Sequence, residues 1–534
     1  MLVLLAVSVL ALAGALTAVA NTNAVAAAVE DDGADCPVST PGSLQTNAKL
    51  PDPFKRLDGT RISSKADWRC HRAQTRELAE RYVYGDKPGK PATVTGSVSN
   101  TNISVNVSHN GRTASFSARV ELPSGTGPFP AVVVVGGLGA DTATIKAAGA
   151  AVINYDPLAV GREGTPRSNK QGAFYTIYGS SSSTGLLAAW AWGVSRIIDV
   201  VEQSGGTVLK ADATGVTGCS RYGKAAFAIG AFDQRIALTM PVESGSAGVP
   251  ALRAIPGESG AQPLSSAYGE QPWLGDAFSP FTGNPNTLPV DTHQVIGMIA
   301  PRGLFIMENP HVDWLGARSG SVAALAGAEV YKALGVGENI SYWSDVQDGA
   351  HCAARSEWRA PLQQNIQKFL VKSGGTTGTF RISSRKAGSL AEWKDWQTPT
   401  LTDGPTTSTT TTSATTTSAT TTTTTTTTTP TTTTSTPPGG CSASVSVNQW
   451  TGGFVATVRV TAGSSPIAGW AVTATLPQGS SVTNAWNTNR SGNSGTVEFT
   501  NVSFNGSLAA GQSTEFGFQG TGTGTGLAPT CAGR

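Results

Sequence analysis

The sequence predicts an α/β domain with a mainly parallel sheet, followed by a smaller antiparallel β-sandwich. Short, wholly apolar runs alternate with helical patterns from residue 130 to residue 371, which is typical of strands buried on both faces of a parallel sheet. Residues 406–438 are almost entirely threonine and separate this region from the C-terminal part. The C-terminal part contains short alternating runs divided by Gly, Ser and Asn, a pattern that indicates an antiparallel sandwich.

The individual elements follow from the period of the apolar residues. The expected parallel strands cover 130–135, 150–154, a run ending at Val216, 236–242, 304–307 and 340–343. The expected helices lie near 73–83, 186–202, 225–232 and 358–371. Residues 103–122 alternate around Asn110-Gly111, which predicts a β-hairpin. The remainder of 36–98 is expected to be irregular.

Composition divides the chain into four segments. These are a signal peptide (1–27), an α/β domain (36–400), a threonine-rich linker (401–440) and a β-sandwich (441–534). The apolar run 1–20 is followed by small residues, which resembles a signal peptide with an A-x-A cleavage site, and a membrane anchor is the alternative interpretation. The linker has no apolar face to bury and is expected to remain extended.

Length and charge limit the kind of protein. The chain of 534 residues is too long for one core, so at least two domains are expected. Lys+Arg 37 against Asp+Glu 35 gives a net charge of +2, which predicts neither a nucleic-acid partner nor binding to an anionic membrane. Charged residues make up only 13%, and Gly, Ser and Thr are abundant, which favours a secreted, extracellular protein. We expect it to be a monomer.

The six cysteines predict three disulfides, because an even number in an exported chain favours pairing. Their positions suggest the pairs Cys36–Cys70, Cys219–Cys352 and Cys441–Cys531. No C-x-x-C pair or histidine cluster has the spacing of a zinc site, so we expect no structural or catalytic metal.

A candidate nucleophile lies where the strand that ends at Val216 passes into a helix. Ser220 stands there between Gly218 and Gly223, in the strand–turn–helix context of the nucleophile elbow of α/β-hydrolases. The spacing G-x-S-x-x-G is one residue longer than the usual G-x-S-x-G. Small residues allow the sharp turn that exposes the hydroxyl at the positive end of the helix.

The candidate base is His351, one of five histidines. In α/β-hydrolases the base follows the last strand and precedes the last helix, and His351 lies between the runs 340–343 and 358–371. Cys219 directly precedes Ser220, and Cys352 directly follows His351. A bridge between these cysteines would hold nucleophile and base close together, since bridged Cα atoms lie about 5.5–6 Å apart.

The acid that would orient the base has three candidates. Fold analogy points to Glu308 or Asp313, which follow the penultimate expected strand. Glu243, directly after the run 236–242, could also reach His351. Spacing alone does not choose between them.

Two cations follow the candidate nucleophile. Arg221 directly follows Ser220, and Lys224 lies four residues after Ser220, one helical turn on. Positive charge there favours an anionic or polyhydroxylated substrate and a developing oxyanion.

The stretch Gly218–Ala226, GCSRYGKAA, resembles the G-C-S-R-x-G-K-G-A signature of glucuronoyl esterases, carbohydrate esterase family 15, with Ala225 in place of a glycine. Further matching stretches are 190–198, 242–246, 313–316 and 351–352, so the resemblance covers roughly residues 36–375. It implies an α/β-hydrolase fold and a cofactor-independent serine esterase. The implied substrate is the ester between (4-O-methyl-)glucuronic acid on xylan and a lignin alcohol.

The resemblance also implies roles for individual residues. Ser220 would be the nucleophile, His351 the base, Glu243 the acid and Arg221 the oxyanion contact. The implied glucuronate contacts are Lys224, Gln262, Glu270 and Trp314. Another plant cell-wall esterase, such as an acetylxylan esterase, and an inactive carbohydrate-binding scaffold are the alternatives.

The C-terminal segment resembles a family 2 carbohydrate-binding module of bacterial cellulases, through residues 448–454, 485–487 and 501–508. The resemblance implies that Trp450, Trp486 and Phe504 form a flat strip that stacks on the sugar rings of cellulose. Phe504 stands where a tryptophan is usual. Trp470 is expected in the sandwich core.

Overall fold

The computed structural model describes residues 29–403, 440–450, 452–502 and 505–534, without the side chains of Asn448, Trp450 and Trp486. The chain forms two compact units, one within 26–410 and one within 411–534. The predicted signal peptide (1–27) and residues 404–439 of the predicted linker lie outside the described residues.

The first unit is built on one ten-stranded sheet. Its strands are β1 (Thr93–Val98), β2 (Asn102–His109), β3 (Arg112–Glu121), β4 (Phe129–Val135), β5 (Ala151–Tyr155), β6 (Leu209–Cys219), β7 (Ile236–Val242), β8 (Gly303–Met307), β9 (Ile340–Trp343) and β10 (Phe380–Arg381). They are ordered β1-β2-β3-β5-β4-β6-β7-β8-β9-β10, and every pair from β5 to β10 is parallel. This confirms the predicted α/β fold class.

The predicted hairpin forms the antiparallel edge of the sheet. His109 pairs with Arg112 across the two-residue turn, in which Asn110 has φ 49° and Gly111 has φ 75°. Positive φ at both positions is the geometry of a type I′ turn, which Asn-Gly favours. Strand β1 extends this edge and was not predicted, because most of its side chains are exposed and carry no apolar pattern.

The centre of the sheet is buried on both faces. Along β4, Val132 and Val134 belong to one apolar cluster, while Val133 and Val135 belong to the cluster on the opposite face. All four side chains are fully buried. A strand covered on both sides has no polar face, which explains why it reads as a continuous apolar run.

Helices cover the sheet. In the described residues they are α1 (Lys65–Ala79), α2 (Thr142–Ala147), α3 (Ala173–Tyr178), α4 (Leu186–Gln203), α5 (Arg221–Phe232), α6 (Leu264–Glu270), α7 (Thr292–Ile299), α8 (Ala317–Ala333) and α9 (Ser356–Ile366). Helix α1 begins earlier than expected because Ser64 and Asp67 form a capping box. No helix in this part of the chain has both the length and the apolar character needed to cross a bilayer.

The junction of β6 and α5 is tighter than the sequence suggested. Strand β6 continues past Val216, since Cys219 still pairs with Val242 of β7, and α5 begins at Arg221. Ser220 is therefore the single residue between strand and helix, at the carboxyl edge of the parallel strands. Ligands bind at this edge in α/β sheets.

The second unit is an antiparallel sandwich, as predicted. Its strands are β11 (Cys441–Trp450), β12 (Gly453–Ala462), β13 (Trp470–Thr475), β14 (Ser481–Trp486), β15 (Asn489–Ser491), β16 (Thr496–Thr500), β17 (Ser513–Thr521) and β18 (Thr530–Gly533). They form two four-stranded sheets, β11-β12-β17-β14 and β15-β16-β13-β18. Trp470 is fully buried and stacks on Phe516, with ring centroids 5.1 Å apart, which confirms its place in the core.

Close packing between α5 and β7 gives a test of the fold. A Cβ at Gly230 would lie 2.0 Å from Thr239 Oγ1, whereas a Cβ at Gly269 of α6 would meet open space. We expect Gly230→Ala to lower the free energy of unfolding by about 1–3 kcal/mol through overpacking. Gly269→Ala should be neutral or stabilising by up to about 1 kcal/mol, because alanine favours helix. Urea denaturation measures both, and equal effects would contradict the packing.

Candidate active site

The turn at Ser220 is set by the two glycines that flank it. A Cβ at Gly218 would lie 2.1 Å from the carbonyl oxygen of Tyr222, and one at Gly223 would lie 2.5 Å from that of Val242. The Ser220 N–H donates to the Val242 carbonyl at 3.0 Å. Ser220 itself has φ 60° and ψ −125°, a strained conformation for an L-residue. The strained turn fixes the residue at the sheet edge.

His351 and Glu243 form a hydrogen-bonded pair beside this turn. His351 Nδ1 lies 2.5 Å from Glu243 Oε2, and the same oxygen accepts from the Cys352 N–H at 2.9 Å. The Glu243 side chain is completely buried, and Asn309 Nδ2 donates to its other oxygen at 3.5 Å. With Nδ1–H bonded to a carboxylate, Nε2 carries the lone pair that can accept a proton.

All three expected disulfides are present: Cys36–Cys70, Cys219–Cys352 and Cys441–Cys531. The second joins the residue before Ser220 to the residue after His351, with Cα atoms 5.8 Å apart. Potential ligand atoms of Cys219, Glu243, His351 and Cys352 lie within 4.8 Å of one another. Both sulfur atoms form the disulfide, so neither is a thiolate that could bind a metal ion. Only Glu243 and His351 of these four residues therefore keep a ligand atom.

The three candidate acids occupy different environments. Glu243 contacts His351, whereas Asp313 is exposed and pairs with Lys386 at 3.1 Å. Glu308 is fully buried, and Ser244 Oγ donates to its Oε1 at 3.4 Å. Burial, reinforced by the nearby charge of Glu243, raises the pKa of Glu308 to about 8. Glu308 is therefore mostly protonated at neutral pH.

A cavity of about 300 Å³ opens in front of the turn. It is lined by Ser220, Arg221, Lys224, Gly245, Gln262, Glu270, Trp273, Trp314, Leu315 and His351. The structure thus brings the predicted nucleophile and base together with the predicted oxyanion contact and all four predicted sugar contacts. The volume lies at the lower end of the range of small-molecule sites, which suits one sugar ring.

Lys224 forms the floor of this cavity from the first turns of α5. Its Nζ donates to the Ser244 carbonyl at 2.6 Å and lies 5.4 Å from the ring centroid of Trp273. Burial lowers the pKa of Lys224 to about 8, against the opposing effect of Glu270 and Glu308. The ammonium form still predominates at pH 7.

The other predicted sugar contacts support one another. Gln262 Nε2 donates to Glu270 Oε2 at 2.8 Å, and the Gln262 N–H donates to the Trp314 carbonyl at 3.0 Å. The Trp314 side chain is a large apolar group left 55% exposed, and its ring meets that of His351 edge-on at 6.0 Å. An exposed indole beside hydrogen-bonding groups is suited to stacking on a sugar.

Two neighbours of the cavity were not found from the sequence, Glu163 and Trp273. Glu163 lies in the loop after β5 and pairs with Arg221, Nη1 to Oε2, at 3.1 Å. Trp273 Nε1 donates to the other oxygen of Glu163 at 2.6 Å. Their loops are polar and irregular, so no period or motif marked them.

Two of the three predicted cellulose-binding aromatics end strands of the second unit. Trp450 is the last residue of β11 and Trp486 the last of β14, and both side chains lie outside the described residues. Phe504 also lies outside the described residues.

The strand–serine–helix turn, the histidine loop after β9 and the strand order define the first unit as an α/β-hydrolase domain. Residues 105–335 match the family model for fungal glucuronyl esterase, and residues 440–533 match that for a cellulose binding domain. The chain is 39% identical over 378 residues to the 4-O-methyl-glucuronoyl methylesterase of Hypocrea jecorina, covering 69% of this chain and 80% of that protein. The chain belongs to the glucuronoyl esterase family, whose members are carboxylic ester hydrolases.

Solved structures agree with this assignment. The glucuronoyl esterase catalytic domain from Hypocrea jecorina is 38% identical and superposes with a TM-score of 0.63, covering 68% of this chain and 100% of that chain. A serine-to-alanine mutant of a glucuronoyl esterase from Sporotrichum thermophile was solved in complex with methyl 4-O-methyl-β-D-glucopyranuronate. It is 35% identical with a TM-score of 0.63, covering 68% of this chain and 99% of that chain.

The buried carboxyl of Glu308 predicts a pH-dependent stability. Since its pKa is about 8 in the folded chain and 4.5 in the unfolded one, only the folded chain holds the proton between these values. The free energy of unfolding therefore falls as the pH rises from about 5 to 8, by up to about 1.4 kcal/mol per pH unit. Glu308→Gln removes this loss, so the variant should gain up to about 3 kcal/mol relative to the parent between pH 5 and pH 7.

Urea denaturation at several pH values measures the difference. The surface substitution Glu338→Gln serves as the control for removing a carboxyl elsewhere in the first unit. Parallel stability curves for the parent and Glu308→Gln would contradict the shifted pKa.

Proposed function

We propose that this protein is a secreted esterase that hydrolyses the ester between glucuronic or 4-O-methyl-glucuronic acid on xylan and a lignin alcohol. One observation carries the proposal: a single cavity of about 300 Å³ holds Ser220 and His351 together with the four expected sugar contacts. The names of the relatives and the sugar ester bound to the Sporotrichum enzyme support the same substrate class.

In the proposed mechanism Ser220 Oγ attacks the ester carbonyl while His351 Nε2 accepts its proton. Glu243 orients the imidazole through Nδ1–H and stabilises the imidazolium that forms. The tetrahedral intermediate collapses, the bond to the alcohol breaks, and His351 returns the proton to the departing oxygen. Water, deprotonated by His351, then attacks the glucuronoyl-serine ester. The bond to Ser220 Oγ breaks, His351 returns the proton to Oγ, and the free acid is released.

The negative charge on the intermediate needs a donor close to the reacting carbonyl. Arg221 borders the cavity next to Ser220, at the N-terminus of α5, where the helix dipole also favours negative charge. We assign the oxyanion contact to its guanidinium, assisted by backbone N–H groups of the turn.

The cavity wall favours a sugar acid over a smaller acyl group. A glucuronoyl ring offers hydroxyls to Gln262 and Glu270, a ring oxygen and carbonyl to the Lys224 ammonium, and a face to Trp314. An acetyl group is too small to make any of these contacts, so the site would bind its transition state less tightly than that of a glucuronoyl ester. Hydrolysis of methyl glucuronate compared with an acetylated sugar distinguishes the two esterases.

The second unit would deliver the enzyme to plant cell walls. Its match to a cellulose binding domain supports attachment to cellulose. We propose that Trp450, Trp486 and Phe504 form the stacking strip.

The three disulfides favour an oxidising, extracellular location. We propose that the protein acts as a monomer, since the residues assigned to the reaction all belong to one chain and the reaction requires no second copy.

The triad is tested by hydrolysis of benzyl glucuronate. Glu243→Ala should lose at least about a hundredfold in kcat, because the imidazole loses its orienting partner. Asp313→Ala is the matched control: it removes a carboxylate from the alternative position and should stay within a few-fold of the parent. Ser220→Ala should abolish turnover. The reverse ranking of Glu243→Ala and Asp313→Ala would exclude Glu243 as the acid, and turnover retained by Ser220→Ala would exclude the proposed nucleophile.

Binding to cellulose is expected to depend on the sandwich alone. Replacing both Trp450 and Trp486 by Ala should abolish most of the retention on crystalline cellulose, since stacking supplies the attachment. The same protein should hydrolyse a soluble glucuronate ester at the parent rate and insoluble biomass more slowly, because the local concentration at the fibre falls. Pull-down with cellulose measures the first effect. Unchanged retention would refute the aromatic strip.

A further inference from the structure

Glu163 bridges two groups at the rim of the cavity. Its Oε2 lies 3.1 Å from Arg221 Nη1, and its Oε1 accepts from Trp273 Nε1 at 2.6 Å. The Arg221 guanidinium carbon lies 5.8 Å from the centroid of the Trp273 ring. One carboxylate therefore holds both the cation and the aromatic ring that faces it.

The loop that presents Glu163 is anchored on both sides of it. The buried Trp190 of α4 donates its indole N–H to the carbonyl of Gly161 at 2.8 Å. The Gly164 N–H donates to Gln271 Oε1 at 2.7 Å. The Glu163 side chain is only 12% exposed, whereas that of Arg221 is 43% exposed. The anchored partner is thus Glu163, and the long, exposed side chain that needs orientation is Arg221.

We propose that Glu163 is a positioning residue that holds the Arg221 guanidinium in the orientation needed to meet the oxyanion. This inference rests on the role proposed above for Arg221. Donors aimed at a developing charge are effective because they need no reorganisation during the reaction. A half-exposed arginine samples many rotamers on its own. Within the described residues, Glu163 is the ion-pair partner of Arg221, and the Trp273 ring restricts the movement of the guanidinium.

The chemistry of the contact requires a carboxylate of this length. Glu163 accepts in two directions, one oxygen for each donor. A glutamine offers one oxygen and one NH₂ group, so either Arg221 or Trp273 would face a donor instead of an acceptor. Glu163→Gln is therefore expected to lie between the parent and Glu163→Ala in activity.

The test is a double-mutant cycle in the full chain, with kcat and KM measured on benzyl glucuronate. Arg221→Ala should lower kcat by about a hundredfold, the loss typical of an oxyanion donor. Glu163→Ala should lower kcat by about tenfold with KM within twofold, because ground-state sugar contacts remain. The double variant should be no slower than Arg221→Ala, since Glu163 has nothing left to position.

Each other result has a defined meaning. If the two losses multiply, or if Glu163→Ala keeps the parent kcat while Arg221→Ala is slow, Glu163 does not act through Arg221 and the inference is overturned. If Arg221→Ala itself keeps the parent kcat, the oxyanion role in the proposed function fails first. Thermal unfolding checks that the variants fold. Should Glu163→Ala fail to fold, the same cycle is run with Glu163→Met, which removes both acceptor oxygens and keeps the length of the side chain.

Discussion

The geometry of the site depends on how the loop that carries His351 is fastened to the sheet. That loop has no regular structure and follows the four-residue strand β9, which lies next to the edge strand β10. Two of its attachments lie next to the imidazole: the Cys219–Cys352 disulfide and the buried carboxylate of Glu243, which accepts from both His351 Nδ1 and the Cys352 N–H. The first fixes the loop to the strand that ends at the nucleophile, and the second to the adjacent strand. Together they leave the imidazole little freedom.

Strain accompanies these attachments. Ser220, Glu243 and Cys352 all have positive φ, at 60°, 44° and 60°. Such conformations cost about 1–3 kcal/mol each in L-residues and persist where the surroundings determine them. Here the surroundings are the glycine contacts of the β6–α5 turn, the hydrogen bonds at Glu243 and the disulfide. The rigid centre of the sheet sustains a site that local backbone preferences would not adopt.

The parallel strands and the closeness of Ser220 to His351 could be predicted from the sequence, because both depend on local patterns. The apolar runs located the parallel strands, and the positions of Cys219 and Cys352 next to Ser220 and His351 placed the two residues together. The acid could not be chosen in this way, since β7 and β8 end at the same sheet edge and both are followed by a glutamate. Which carboxylate reaches the imidazole depends on the turn after each strand, which the tertiary structure decides.

Glu163 shows a second limit of the sequence. Its contacts with Arg221 and Trp273 join three segments that are far apart in the chain, and its own loop is polar and aperiodic. A single glutamate in such a loop has the appearance of a solvated surface residue. Only the closure of the loops over the sheet turns it into a partly buried neighbour of the cavity.

The size and openness of the cavity have a consequence for the kind of polymer contact the enzyme can make. A volume of about 300 Å³ admits one ring, while Trp314 and Arg221 at its mouth remain about half exposed. In the proposed reaction both sides of the scissile ester are macromolecules, and neither has to be threaded through the protein. The enzyme would bind only the glucuronate branch that protrudes from xylan. The xylan and lignin main chains would both stay in solvent. Cleavage could then occur at any point along a cross-linked network, without a free chain end.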